Sequence, residues 1–163
     1  MGTLVARVGK EERRERPRNQ MKVAAVGKVI LLVEDNPMDA ALMLRALKTN
    51  GISNDVVVAA DGVEALDYLF GESESPCDAN VHSPQVVFLD LKLPRVDGFS
   101  VLRRIRADER TSQLPVIVIS SSDEERDSAQ ASALGANNYF RKPVDFDEFV
   151  DIVGELGRRW LDG

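Results

Sequence analysis

Short runs of apolar residues alternate along the chain with segments in which apolar residues recur at helical spacing. The runs are continuous rather than alternating, which is typical of strands buried on both faces. They lie at Val29–Val33, Val56–Ala59, Val86–Leu89 and Val116–Ile119, and a short fifth strand is predicted at Tyr139–Arg141. Strands of this kind joined by helices predict a three-layer α/β fold, with a parallel sheet between two layers of helices.

Helical segments follow the five strands, and capping residues mark where several of them begin. Asn36 is suited to cap the first helix, with Pro37 in its first turn. Asp61 and Glu64 have capping-box spacing at the start of the second helix, and Asp145 is suited to cap the last. The helices are predicted over residues 37–49, 62–70, 99–107, 123–134 and 146–160.

The spacing of apolar residues also predicts which helix faces are buried. In the first helix the core face is predicted to contain Ala41, Leu42, Leu44, Ala46 and Leu47. In the third helix the arginines are predicted to face solvent, at positions Arg103, Arg104 and Arg106. A polar segment at 71–85 is predicted to be a surface loop, longer than the fold needs and available to a partner.

Five βα units with right-handed crossovers and helices on both faces of the sheet have few arrangements available. The commonest is the flavodoxin-like order 2-1-3-4-5, counting Val29–Val33 as strand one. This (βα)5 fold places a ligand crevice outside the carboxyl ends of strands one and three. Residues that directly follow those strands are therefore the first candidates for chemistry.

Three carboxylates follow the two strands that border this crevice. Glu34 and Asp35 end strand one, and Asp90 ends strand three. Acids this close raise one another's pKa unless a cation lies between them. An oxygen-only acidic cluster open to solvent suits Mg²⁺, which also takes phosphate oxygens. Acids ahead of a helix can instead serve only the helix dipole, so the convergence of all three carries the prediction.

Two other strand ends carry groups that suit a phosphate. Ser120 follows the fourth strand with a hydroxyl, and Lys142 follows the fifth with an ammonium. Either residue alone is more typical of a turn or an exposed position. Together with the acids they form the set that one phosphorylated carboxylate with Mg²⁺ requires.

Composition and charge limit the class of protein. The chain has 163 residues and a net charge of −6, of which residues 1–22 carry +4 and the remainder −10. An acidic body disfavours nucleic acid as a partner. Residues 1–27 are predicted to be a basic, disordered tail before a domain at 28–163, with binding of the tail to an acidic partner as the alternative. A single cysteine and no apolar segment that could span a membrane predict a cytoplasmic protein without a membrane partner.

Seven short motifs stand at strand ends and helix starts. They are Val33–Pro37, Ala60–Leu66, Leu89–Leu91, Leu93–Gly98, Ser120, Gly135–Ala136 and Lys142–Pro143. With these motifs at these spacings, the chain resembles the receiver domain of two-component response regulators from about Lys28 to Trp160. The Asn-Pro opening, the long loop and the three serines after the fourth strand are most similar to the single-domain regulators paired with bacterial phytochromes.

This resemblance implies a phosphoacceptor and a metal site. Asp90 would accept a phosphoryl group from a phosphohistidine on a sensor histidine kinase, in this subfamily a bacteriophytochrome. Mg²⁺ would be held by Asp35, Asp90 and the backbone carbonyl of Lys92, with Glu34 binding through water. The output would be a contact with a downstream protein, and the chain would not be a turnover enzyme.

The resemblance also implies a switch. Lys142 and Ser120 would contact the phosphoryl group, with a cis Lys142–Pro143 bond aiming the amine inward. Tyr139 would fill the space that Ser120 vacates, although packing at the sheet edge is the alternative for this ring. The surface of the fourth helix, fifth strand and fifth helix would change, and it would be the face of a homodimer.

Two positions, Lys92 and Ser122, depart from the family pattern. Lys92 and Ser122 lie where the family adjusts the approach of hydrolytic water, so both are predicted to set the lifetime of the phosphorylated state. The ammonium of Lys92 would either compete for the phosphoryl oxygens or point outward.

Two other functions remain open on the sequence alone. A flavin-binding electron carrier of the same fold needs a hydroxyl- and glycine-rich phosphate loop after strand one, where this chain has Glu34 and Asp35. A pseudo-receiver that acts as an adaptor without phosphorylation would lack some of the expected side chains, and this chain has them all.

Overall fold

The computed structural model describes residues 4–7, 29–71, 84–121 and 125–161. Within them the strands are β1 (Leu4–Arg7), β2 (Val29–Val33), β3 (Asp55–Ala59), β4 (Val86–Leu89), β5 (Val116–Ser120) and β6 (Asn138–Arg141). The helices are α1 (Pro37–Thr49), α2 (Gly62–Phe70), α3 (Gly98–Ala107), α4 (Glu125–Ala133) and α5 (Phe146–Trp160). The predicted strands and helices are all present, with ends that differ by one or two residues.

The strands form one sheet in the order β1-β3-β2-β4-β5-β6. The five strands from β2 to β6 are all parallel, and Val33 of β2 is in register with Ala59 of β3 and Leu89 of β4. Their order is the predicted flavodoxin-like 2-1-3-4-5. The prediction of a parallel five-stranded sheet is therefore confirmed.

The sequence did not predict the sixth strand, β1, which pairs antiparallel with β3 at the edge of the sheet. Leu4 is in register with Val58 and Arg7 with Asp55. This strand falls inside the segment 1–27 that was expected to be a disordered tail, and residues 1–3 and 8–27 lie outside the described residues. The long loop, apart from its ends, also lies outside them.

Alternate side chains of the strands supply two separate cores, one on each face of the sheet. On one face, Ile30 and Phe88 pack with side chains of α1 and α5, among them Leu47 and Val153. On the other face, the side chains of β2 and β4 pack with α2 and α3. Burial on both faces explains why the strands are continuous apolar runs.

Helix caps fix the start of each helix near the site. The Asn36 side chain accepts hydrogen bonds from the backbone amides of Met38 and Asp39, at 2.8 and 3.2 Å. Asp61 accepts from the Glu64 amide at 2.8 Å, while the Glu64 carboxylate accepts from the amide of Ala60 at 2.8 Å. The predicted caps are present, although Glu64 reaches one residue further back than a capping box requires.

The predicted core face of α1 was partly wrong. Leu42 is 37% exposed and Ala41 is exposed, whereas Ala40 and Met43 are buried beside Leu47. The buried stripe is turned by about one residue because Leu42 lies at the rim of a cavity rather than against the sheet.

The prediction that all three arginines of α3 face solvent was also wrong for one of them. Arg106 is half-buried, and its guanidinium donates to the carbonyl of Gly135 at 2.9 and 3.0 Å and to that of Leu114 at 2.7 Å. It also donates to the Asn137 side chain at 2.9 Å. Arg106 therefore joins the loop after α3 to the loop after α4.

In the part of the chain that the structure describes, every helix is too short or too polar to cross a bilayer.

Candidate functional site

The carboxyl ends of β2 and β4 bring three acids together. Glu34 and Asp35 follow β2, and Asp90 follows β4. The Asp90 amide donates to the carbonyl of Val33 at 3.1 Å, so Asp90 lies beside the end of the neighbouring strand. One carboxylate oxygen from each acid lies within 4.8 Å of the others. The predicted convergence of these three side chains is thus observed.

The acids differ in exposure to solvent. Glu34 and Asp90 are each 6% exposed, whereas Asp35 lies at the surface. A buried carboxylate is costly unless a cation or a hydrogen-bond donor accompanies it. The cluster therefore depends on the groups that surround it.

Lys142 supplies the cation. It follows β6, and its backbone amide donates to the carbonyl of Ser120 at 2.7 Å, which fixes the start of its side chain. Its ammonium donates to Glu34 Oε1 at 2.8 Å, to Asp90 Oδ2 at 3.0 Å and to Asp39 Oδ2 at 2.8 Å. All three donors of the ammonium are thus directed at carboxylates.

Sequence reasoning missed Asp39. The residue lies in the first turn of α1, where an acid usually serves the helix dipole. Its spacing from Asn36 gave one weak signal, because helical side chains lean toward the N-terminus, so one in the first turn can reach the crevice where the helix begins. The ion pair joins residues 103 positions apart.

The surroundings shift the protonation of both buried partners. Burial, aided by the charge of Asp90, raises the pKa of Glu34 from 4.5 to about 7, although hydrogen bonds from Lys142 and from the Asn36 amide oppose the shift. Burial by itself would lower the pKa of Lys142. Hydrogen bonds to Asp39 and Glu34, with the charges of Asp90 and Glu34, outweigh burial and raise the pKa of Lys142. The lysine is therefore charged at neutral pH.

The loop after β4 folds tightly behind Asp90. The Lys92 amide donates to Asp90 Oδ1 at 3.2 Å, and the Gly98 amide donates to the carbonyl of Leu91 at 2.9 Å. A Cβ on Gly98 would lie 2.3 Å from the carbonyl oxygen of Asp90, so only glycine permits this approach. The Lys92 side chain is exposed, in agreement with the outward alternative.

An ion pair anchors the same loop to α2. Arg95 has a φ of 68°, a backbone conformation that residues other than glycine seldom adopt. Its guanidinium donates to Asp61 Oδ2 at 2.7 and 3.0 Å. These bonds and that of the Glu64 amide hold the pKa of Asp61 below its usual value, against the opposing effect of burial.

The structure describes two of the three remaining predicted site residues, Ser120 and Tyr139. Ser120 is fully buried at the end of β5. Tyr139 is half-buried and packs against a small cluster that includes Leu91 and Val118. Ser122 lies outside the described residues. The expected cis Lys142–Pro143 bond is wrong, because this bond is trans, like every peptide bond of the described residues.

A cavity of about 70 Å³ adjoins the acids. Its polar wall includes Glu34, Asp39, Asp90 and Lys142, and its apolar wall includes Leu42. The cavity has room for more than one water molecule.

The donor set fits a hard divalent cation. The three converging acids offer only oxygen ligands, one of them at the surface where a cation can keep part of its water shell. With Asp39 included, four carboxylates face one ammonium, so negative charge exceeds positive charge among these side chains. Oxygen ligands with an excess of negative charge favour Mg²⁺ or Mn²⁺ over softer metals.

A parallel sheet in this order, with an acidic cluster and a lysine at its carboxyl ends, is the arrangement expected of a phosphorylation-controlled signalling domain. The family model for the response regulator receiver domain matches residues 30–154. The chain belongs to the response regulator receiver domain family, as its motifs predicted, and so to two-component signalling.

Several relatives share most of their length with this chain. Response regulator Rcp1 of Synechocystis sp. (strain ATCC 27184 / PCC 6803 / Kazusa) is 33% identical over 83% of this chain and 90% of its own. The structure of the phosphorylated cyanobacterial phytochrome response regulator RcpA is 37% identical, with a TM-score of 0.75 over 83% of this chain and 94% of that one. The bacteriophytochrome response regulator AtBRR is 44% identical, with a TM-score of 0.65 over 80% of this chain and 92% of that one. The resemblance to phytochrome-associated regulators is confirmed.

Proposed function

We propose that this chain is a response regulator that accepts a phosphoryl group on Asp90 from a sensor histidine kinase. The observation that carries the proposal is the position of this carboxylate. Asp90 Oδ2 faces the Lys142 ammonium at 3.0 Å and Oδ1 accepts from the Lys92 amide at 3.2 Å, beside a cavity. An Asp90 oxygen would bond to phosphorus as the bond from phosphorus to the histidine nitrogen of the kinase breaks.

The acids would hold a divalent cation. Asp35 and Asp90 are its side-chain ligands in this proposal, the backbone carbonyl of Lys92 completes the set, and Glu34 binds the cation through water. A solved structure of Rcp1 is a Mn²⁺-bound form, which supports the binding of a divalent cation by this chain. When bound, Mg²⁺ neutralises charge on the transferring group.

The side chains of this chain would do the rest. Lys142 would offset the charge of the phosphoryl oxygens, and the Ser120 hydroxyl would donate to one of them. Tyr139 would then shift into the space beside β5 and alter the surface of α4, β6 and α5. A charge-assisted hydrogen bond is worth roughly 1.5–3 kcal/mol, enough to shift a two-state population tenfold or more.

The partners follow from the same proposal. The kinase would be a bacteriophytochrome, since RcpA is a cyanobacterial phytochrome response regulator and AtBRR a bacteriophytochrome response regulator. The domain at 28–163 would signal in the cytoplasm by contact with a downstream protein or with a second copy through the α4–β6–α5 face. It would dephosphorylate itself slowly, at a rate set by Lys92 and Ser122, without acting as a turnover enzyme.

Intact-mass spectrometry tests the proposal. The full chain is incubated with acetyl phosphate and Mg²⁺, alongside Asp90→Ala and the surface control Asp151→Asn. We expect the mass of one phosphoryl group to be added to the wild type and to Asp151→Asn, with none on Asp90→Ala. An unmodified wild type would favour an adaptor that acts without phosphorylation, and an equal gain in Asp90→Ala would place the phosphoryl group elsewhere.

A further inference from the structure

The three carboxylates that Lys142 contacts are not equivalent. Glu34 and Asp90 belong to the acidic cluster, in which ligand atoms lie within 4.8 Å of one another. Asp39 does not belong to that cluster, yet its Oδ2 is as close to the ammonium, at 2.8 Å, as Glu34 Oε1. Lys142 therefore has two partners that a metal would also use and one that a metal would leave free.

A cation at the cluster and the Lys142 ammonium share two carboxylates, those of Glu34 and Asp90. Glu34 Oε1 and Asp90 Oδ2 each accept from Lys142 at 3.0 Å or less. A divalent cation that draws charge from these carboxylates weakens the hold of both on the lysine. The Lys142 side chain is only 17% exposed, so its charge needs another partner to stay in the site.

Asp39 is placed on a rigid element. Its own amide donates to the Asn36 cap at 3.2 Å, so the backbone of the first turn of α1 is fixed. Its side chain is 36% exposed, which leaves the carboxylate free of dense packing. A charged group held by a capped helix can keep its position while the charges around it change.

We propose that Asp39 is a positioning residue for Lys142, which keeps the ammonium beside Asp90 when a divalent cation engages Glu34 and Asp90. The inference rests on the function proposed above and adds a residue to its site. Without Asp39, Lys142 would bind Glu34 and Asp90 alone and compete more strongly with the cation.

Asp39→Asn keeps the shape of the side chain and removes its charge, so it isolates this effect. We expect Mg²⁺ to bind the full-length variant about two- to fivefold more weakly than the wild type, the range of a partly exposed ion pair. Asp39→Glu should recover part of the loss. Asp151→Asn, an equal change of charge at an exposed position of α5, should leave Mg²⁺ affinity unchanged within about twofold.

A double-mutant cycle separates action through Lys142 from a general field effect. In a Lys142→Met background, adding Asp39→Asn should change Mg²⁺ affinity less than about twofold, because the group that Asp39 positions is gone. Isothermal titration calorimetry with Mg²⁺ measures all six proteins without any phosphoryl donor. Circular dichroism checks that each variant is folded.

The outcomes distinguish the inference from the proposed function. Equal Mg²⁺ affinity in wild type and Asp39→Asn would overturn the inference alone, as would the same loss in both backgrounds. A wild-type chain that binds no Mg²⁺ would overturn the proposed metal site and, with it, the inference.

Discussion

Two buried or half-buried cations in the described part of the molecule are surrounded by oxygens in different ways. The Lys142 ammonium contacts three carboxylates, and the acidic Asp35 lies close by. The Arg106 guanidinium contacts uncharged oxygens, namely the carbonyls of Gly135 and Leu114 and the side chain of Asn137. Both cations tie together segments that are far apart in sequence.

Under the proposed function, the difference separates a structural cation from a functional one. Neutral oxygens accept the hydrogen bonds of Arg106, so no excess of negative charge surrounds the guanidinium. Burial lowers the pKa of Arg106. The carboxylates around Lys142 carry more negative charge than its single ammonium neutralises, so a second cation would stabilise the cluster. A second cation is therefore attracted strongly to the acids around Lys142 and only weakly to the neutral oxygens around Arg106.

Replacing the lysine should have the largest effect on this contrast. Lys142→Met leaves buried Glu34 and Asp90 without a cation, and we expect the metal-free protein to lose about 3 kcal/mol of stability. Mg²⁺ should restore much of the loss, because it replaces the missing charge. Urea unfolding at pH 7, with and without Mg²⁺, measures both. A variant as stable as the wild type without metal would show that the acids do not depend on the lysine.

Replacing the arginine should have a smaller effect of a different kind. Arg106→Ala leaves several carbonyls in the two joined loops without donors, and we expect a loss of about 2 kcal/mol. Mg²⁺ should not recover it, and Mg²⁺ affinity should stay within about twofold of the wild type.

Arg103→Ala, on the exposed side of the same helix, is the matched control and should change stability by less than about 0.5 kcal/mol. If Arg106→Ala weakened Mg²⁺ binding strongly, the arginine would not be a purely structural cation.

The smallest expected effect is on the pH dependence. Since the pKa of Glu34 is raised from 4.5 to about 7, the unfolded chain ionises this group at lower pH than the folded protein does. Stability of the metal-free protein should then fall as pH rises from about 4.5 to about 7, and level off above.

Glu34→Gln removes this pH-dependent contribution. Relative to the wild type, the free energy of unfolding of the variant should therefore rise by about 1–2 kcal/mol between pH 4.5 and pH 7.5. Urea unfolding in EDTA across this range measures the difference. Parallel pH profiles would mean that Lys142 compensates Glu34 fully and that the burial of this acid has no energetic consequence.

The sequence was a good guide to the parts of the fold that depend on local patterns. Continuous apolar runs predicted four of the five parallel strands, and the acids that follow two of them predicted the cluster at Glu34, Asp35 and Asp90. These predictions succeeded because a parallel sheet brings the carboxyl ends of neighbouring strands to one edge.

Contacts that depend on distant segments were not predictable in the same way. The exposed position of Leu42 depends on the cavity beside α1, and the half-buried position of Arg106 depends on carbonyls of two loops. Asp39 gained its role from a lysine 103 residues away. The strand at Leu4–Arg7 pairs with the edge of β3, and the sequence of the basic segment around it gives no sign of that pairing.

That added strand makes the two borders of the sheet unequal. β1 runs antiparallel along β3 and occupies the backbone groups of that border, as short covering strands do in many sheets. Within the described residues the two edges of the sheet are therefore β1, which is antiparallel to its neighbour, and β6, which is parallel to its neighbour. A peptide that extends the sheet by backbone hydrogen bonds at β6 would pair with the strand that leads directly into Lys142.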